Sequence, residues 1–153
     1  MSEEELVERV SGIKLAANKM HTAGERGAAC AEYERGLTLI SEHRASASAG
    51  AEAAPLDALE VALRLNSAAC AQSDGRHAEA LAHADAALAL SSNSTKAHYR
   101  KGQALRGLGR LAEAEAAFTA VLAIDPRNRQ AHAELTALAE ASTAAAATAA
   151  VAS

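Results

Sequence analysis

Two pairs of polar residues stand four apart in stretches that read as helix: Lys14 with Asn18, and Lys96 with Arg100. That step is close to one helical turn, so the members of each pair share a helix face. A fifth residue, Asn66, is the repeat equivalent of Arg100, and the next position on its stripe is Ala69, a small residue that leaves room over the helix. Brought together, these residues would set three cations and two carboxamides around one hollow, and such a cluster repels itself unless something anionic fills it. The donors suit that task. Lysines supply ammonium charge, carboxamides both donate and accept, and Arg100 offers a planar fork to a carboxylate or carbonyl.

The elements that must position these residues form a repeat. Gly75-Arg76-His77-Ala78-Glu79-Ala80 returns 34 positions later as Gly109-Arg110-Leu111-Ala112-Glu113-Ala114. The same offset carries Asn66 onto Arg100, Leu88 onto Leu122 and Leu90 onto Ile124. Each copy reads as two helices separated by a breaker, with Gly75 and Gly109 suited to the left-handed turn past a helix C-terminus. Ala80, Ala84 and Ala87, matched by Ala114, Phe118 and Val121, fall where the helices must approach. A helical hairpin cannot bury its apolar face alone, so copies stack into a solenoid with a concave inner surface.

Bulk composition agrees with an all-α domain. The 153 residues are half apolar but contain only Tyr33, Tyr99 and Phe118 as aromatics, which favours helix over sheet. A formal charge of −4 argues against general attraction to nucleic acid or an acidic membrane, so any anion site must be local. The acidic start, Met1-Ser2-Glu3-Glu4-Glu5, has no long apolar run behind it, which predicts a cytoplasmic or nuclear protein without a membrane span. Cys30 and Cys70 read as buried small hydrophobes rather than a disulfide or metal pair. The histidines are scattered, and no nucleophile–base arrangement, phosphate loop or metal-ligand set is present, so no enzyme, cofactor or metal is expected.

In chain order, Ser2 and Glu5 form a capping box that starts a helix at residue 3, with Leu6, Val10, Ile13 and Ala17 as its buried stripe. Gly24 and Gly27 break it near Thr22, and a second helix from Ala28 to about Arg44 turns Tyr33, Leu37 and Ile40 inward. From Ala29 to Ala80 is 51 residues, so about 17 are inserted relative to the repeat, in the small and polar stretch 46–54. That stretch suits a flexible loop, although its Ala content also allows lengthened helices. Pro55 starts the next helix, with Leu56, Leu59, Leu63 and Ala69-Cys70 toward the core. Ser91-Ser92-Asn93-Ser94 then caps the third repeat. Asp125-Pro126 is expected to open a capping helix over 126–141, burying Ala131, Leu135 and Leu138, with 142–153 a frayed or disordered tail. The expected domain is therefore 1–141, with repeats at about 3–44, 55–90 and 94–125.

The 34-residue period is that of tetratricopeptide repeats. The pattern Lys14-x-x-x-Asn18, Asn66, Lys96-x-x-x-Arg100 resembles the dicarboxylate clamp of tetratricopeptide co-chaperones, and the segment from Ala62 to Cys70 is similar to the tetratricopeptide part of the large immunophilins. The resemblance covers roughly residues 3 to 141, and the pattern departs from it at Ala17, Met20 and His21. It implies a right-handed α-solenoid of three hairpins plus a capping helix. It also implies that these five residues bind the C-terminal Glu-Glu-Val-Asp peptide of heat-shock chaperones of the ninety- or seventy-kilodalton class. A terminal Asp presents two carboxylates where an internal one presents a single group, which explains the residue types. The protein would act as a monomeric adaptor with no nucleic-acid or membrane partner. The alternative is a generic tetratricopeptide scaffold that holds some other protein segment.

Overall fold

The computed structural model describes residues 2–46 and 54–152, and among them are seven α-helices and no strand. They are α1 (Glu3–Thr22), α2 (Arg26–Ser46), α3 (Ala54–Ser73), α4 (His77–Leu90), α5 (Thr95–Gly107), α6 (Leu111–Ile124) and α7 (Arg129–Ala152). Three antiparallel hairpins, α1/α2, α3/α4 and α5/α6, stack side by side, and α7 covers α6. The first helices of successive hairpins, α1, α3 and α5, also touch one another, and this row forms one wall of the stack.

The hairpin turns repeat atom for atom. Gly24, Gly75 and Gly109 all have positive φ, and the residue after each glycine donates back to the carbonyl five positions earlier: Glu25 to Met20, Arg76 to Ala71, Arg110 to Leu105. This is the Schellman closure, which satisfies the carbonyls left open at a helix end. Gly27 does not break the chain; it lies in the first turn of α2, which begins at Arg26. At the N-termini, the Ser2 hydroxyl accepts from Glu5 N at 3.1 Å and the Ser94 hydroxyl from Ala97 N at 3.2 Å.

The capping helix starts later than Asp125-Pro126 suggested. Asn128, the equivalent of Ser94 one period on, accepts from Ala131 N at 2.9 Å and is the N-cap of α7. The correspondence extends to a side chain: His98 reaches Ser92 O and His132 reaches Pro126 O, each at 2.9 Å. So α7, which caps the third hairpin, opens with the same local geometry as α5. It also continues through the Ala/Thr-rich segment expected to fray, because Ala carries the highest helix propensity and no Gly or Pro interrupts it. Ala131 and Leu138 are buried, while Leu135 is only partly so.

The inserted residues extend the helices on both sides of the connection. α2 and α3 have 21 and 20 residues where their counterparts α4 and α5 have 14 and 13; residues 47–53, within the stretch read as a loop, lie outside the described part. The added turns are held by Arg44, which bonds Asp57 at 2.6 Å and Glu60 at 3.2 Å, and Glu60 also meets Arg64. Arg64 in turn donates to His83 Nδ1 at 3.2 Å, and His83 Nε2 lies 3.0 Å from Glu34. Guanidinium has no acceptor, so Nδ1 must accept and the Nε2 hydrogen is given to Glu34, which fixes a neutral imidazole. One polar chain thus crosses α2, α3 and α4.

Core packing depends on a few close approaches. Phe118 is fully buried against α5, where a Cβ on Gly102 would lie 2.6 Å from its ring; Tyr99 meets the same ring edge-on at 5.6 Å. At the α2–α3 contact Gly36 faces Leu63 so closely that a Cβ there would lie 3.0 Å from Leu63 Cδ1. Ala68, rather than the expected Ala69, takes the buried place beside Cys70.

The cysteines also depart from expectation: Cys30 and Cys70 form a disulfide across α2 and α3. The two α-carbons are 5.9 Å apart, within the range a disulfide spans. Their small-residue neighbours let the helices come that close, a proximity that one-dimensional spacing does not reveal. Closing a separation of 40 residues stabilises the fold by about 3–4 kcal/mol in a chain-entropy account.

Gly102→Ala is expected to destabilise. The helix-propensity gain of about 1 kcal/mol is outweighed by an overpacking cost of about 1–3 kcal/mol, since Phe118 has nowhere to retreat. Gly12→Ala, with nothing within 4 Å of its Cβ, should instead raise Tm slightly. Thermal melts of the two variants should therefore move in opposite directions. A second expectation concerns pH. Burial lowers the His83 pKa below its ordinary value of 6.5; Glu34 opposes this, Arg64 adds to it, and Glu79 opposes it weakly. The unfolded chain takes up this proton more readily, so stability is lost as pH drops from about 6.5 toward the folded-state value. His83→Gln should flatten the fall in Tm between about pH 7.5 and 5.5; an unchanged slope would refute the assignment.

Candidate functional site

Three of the five predicted residues line one groove. Asn66 on α3 and Lys96 and Arg100 on α5 face a cavity of about 560 Å³. The inner row of first helices positions them: Asn66 and Arg100 occupy equivalent places in α3 and α5, and Lys96 lies one turn before Arg100. The floor of the groove is apolar, built by Ala58, Val61, Ala62 and Leu65 of α3.

Asn18 joins this group through hydrogen bonds rather than by lining the same cavity. Its Oδ1 accepts from Asn66 Nδ2 at 3.5 Å and from Tyr33 Oη at 2.5 Å. With the oxygen so engaged, the Asn18 amide nitrogen is turned away from both partners as a donor. Tyr33 is almost wholly buried, and that burial pushes its phenol pKa up, keeping it a neutral donor. Lys14 lies one turn before Asn18 on α1 and is half-buried, and no bond ties it to the other four. Leu15, beside it, is 59 % exposed and lines a shallow apolar recess with Asn18 and Lys19.

Charge pairing separates the cations of α5 into two sets. Lys101 meets Asp85 at 2.9 Å and Arg106 meets Glu134 at 2.5 Å. Lys96 and Arg100, which face the groove, pair with no carboxylate among the described residues. Arg100 donates one N–H to Gln103 Oε1 at 3.0 Å, leaving most of its donors for the cavity. The groove is thus cationic at its polar end, on a chain whose formal charge is −4.

Sequence reasoning missed Gln103, Tyr99, Asn128 and Gln130, which also border the groove. A signal for three of them was present: Asn128 is Ser94 shifted by one period. Gln103 precedes Gly109 by the same interval that separates Asn18 from Gly24, and Gln130 is Lys96 shifted by one period. The burial of Tyr99, with Glu134 nearby, raises its phenol pKa as well. Two roles left no such trace: the Tyr33 hydroxyl as support for Asn18, and Ala58 and Val61 as groove floor.

Residues 71–139 match the tetratricopeptide repeat family model, and no curated protein matches the sequence. Among solved structures, the chain is similar to the C-terminal TPR-containing domain of an FK506-binding protein of Plasmodium falciparum, with 23% identity, a TM-score of 0.84 and 95% of each chain covered. It is similar too to the first TPR of Spaghetti (RPAP3) bound to the HSP90 peptide SRMEEVD: 25% identity, TM-score 0.73, covering 89% of this chain and 94% of that one. The second TPR domain of human RPAP3, in complex with the HSP70 peptide SGPTIEEVD, gives 27% identity and a TM-score of 0.67, covering 82% and 91%. The described residues thus have the all-α fold of tetratricopeptide repeat structures, and residues 71–139 carry the match to that family.

Tyr33→Phe should leave the fold intact while removing the bond that orients Asn18. The expected cost is about 1 kcal/mol, a fall in Tm of a few degrees read by circular dichroism. In NMR spectra the Asn18 side-chain amide should shift; an unmoved signal would show that the hydroxyl does not hold it.

Proposed function

We propose that this chain is a protein-binding adaptor, a co-chaperone that captures the C-terminal Glu-Glu-Val-Asp of heat-shock chaperones through Lys14, Asn18, Asn66, Lys96 and Arg100. The observation that carries the reading is the joint placement of Asn66, Lys96 and Arg100 around one groove, with Asn18 bonded to Asn66. Two similar structures hold peptides ending in Glu-Glu-Val-Asp, which supports the same guest here.

The chemistry follows from the donors. Lys96 and Lys14 offer ammonium groups to the two carboxylates of a terminal Asp, and the Asn18 and Asn66 amides bond the carboxylate and the adjacent peptide group. Arg100, steadied by Gln103, is placed for a carboxylate or carbonyl just upstream. The apolar floor at Val61, Ala62 and Leu65 accommodates a valine-sized side chain. Each charged hydrogen bond contributes roughly 1.5–3 kcal/mol before desolvation and peptide ordering are subtracted, which leaves an affinity of about −8 kcal/mol, in the micromolar range. The protein holds its partner and performs no covalent chemistry.

A fluorescently labelled Glu-Glu-Val-Asp peptide should bind with a free carboxyl terminus and much more weakly when amidated. Lys96→Glu and Arg100→Ala should each weaken the free acid by about tenfold or more, and added salt should do so moderately. Equal binding of the acid and the amide would remove the clamp and favour a scaffold for some other segment.

A further inference from the structure

The Cys30–Cys70 disulfide sits one helical turn from the two side chains that hold Asn18. On α2, Cys30 precedes Tyr33 by three residues, and the Tyr33 hydroxyl donates to Asn18 Oδ1. On α3, Cys70 follows Asn66 by four, and Asn66 Nδ2 reaches the same oxygen. The result is a closed circuit from Asn18 through Tyr33, one turn of α2, the disulfide, one turn of α3 and Asn66 back to Asn18. Only the two hydrogen bonds to Asn18 can stretch easily; helix and disulfide are stiff. The spacing between α2 and α3 at this level therefore decides whether one carboxamide oxygen can meet both donors.

Cys70 is buried and Cys30 only partly so, which leaves the Cys30 side of the disulfide for a reagent. A cavity of about 220 Å³ is bounded by both cysteines and by Glu34, Ser67, Arg76 and Glu79. The Ser67 hydroxyl on its wall is buried and has no hydrogen-bond partner. Elsewhere the α2–α3 contact is close but not covalent, with Gly36 against Leu63 and Arg44 against Asp57 and Glu60.

We propose that Cys30 and Cys70 are a redox control on the peptide groove, an inference that rests on the clamp reading. The oxidised pair fixes α2 against α3 and holds Asn18 beside Asn66; reduction lets the helices separate and loosens that corner of the groove. In the reducing direction, one thiolate of a dithiol attacks a cysteine sulfur and the Cys30–Cys70 bond breaks as a mixed disulfide forms. The second thiol of the reagent then displaces the protein sulfur. Two electrons and two protons pass to the cysteines, and the dithiol leaves as a cyclic disulfide. A low-molecular-weight disulfide reverses the exchange by accepting the same two electrons.

The test uses the full chain, oxidised or treated with dithiothreitol, with thiol state verified by alkylation and mass spectrometry and helicity by circular dichroism. Binding of the free-acid Glu-Glu-Val-Asp peptide is expected to weaken roughly fivefold or more on reduction. Cys30→Ala should bind like the reduced chain and be indifferent to dithiothreitol. If reduction lowers helicity, Cys30→Ala and Cys70→Ala, compared with the oxidised chain, decide the matter. Equal affinity of oxidised and disulfide-free forms overturns the proposal. Should the peptide bind neither form, the clamp reading fails separately, and the side-chain amide signals of Asn18 and Asn66 become the arbiter. Their displacement on reduction supports the redox coupling, and unmoved signals overturn it.

Discussion

Burial between hairpins is the constraint on which this molecule depends. Its short antiparallel helices leave an apolar face uncovered, so each hairpin must press against the next, and the pressing works only where one side is small. Gly102 admits the Phe118 ring and Gly36 admits Leu63, while Ala80, Ala84 and Ala87 do the same along α4. Because these approaches are set by missing side-chain atoms, the stack has one register. That register places α1, α3 and α5 in a row and decides which of their residues share a groove.

Polar residues then divide between two tasks. Across α2, α3 and α4 the chain from Asp57 through Arg44, Glu60, Arg64 and His83 to Glu34 is internally satisfied, and buried His83 stays neutral within it. Toward the groove the pattern reverses. Lys96 and Arg100 face a cavity with no carboxylate opposite, next to α5 cations that do have partners. Among the described residues these two cations have no carboxylate partner beside the apolar floor, and this supports the proposed acidic guest.

Much of this was legible from spacing. The 34-residue offset set the second and third hairpins, and the glycines marked turns that close with the same pair of hydrogen bonds each time. It even contained the start of α7, since Asn128 is Ser94 moved by one period; the proline two residues earlier drew attention to the wrong cap. Helix α7 runs through the Ala/Thr-rich segment to Ala152 without an apolar stripe, since Ala alone can sustain a helix. At the site, the spacing led to Asn66, Lys96 and Arg100, which line one groove, and to Asn18, which bonds Asn66; Lys14 has no bond to these four. The groove floor, the Tyr33 support and Gln103 were not singled out, because apolar or neutral residues have many ordinary uses.

Periodicity along a chain records which residues share a face of one helix, and that much belonged to the sequence: all-α hairpins, their turns, and polar pairs at one-turn intervals. What it could not state is how far apart two faces lie once they meet. The bond between Asn18 and Asn66, the common groove of Asn66, Lys96 and Arg100, and the bridge between Cys30 and Cys70 join residues remote along the chain. Each arises from inter-helix distances of a few ångströms, fixed by the packing of side chains from different repeats, and only the folded molecule sets those distances.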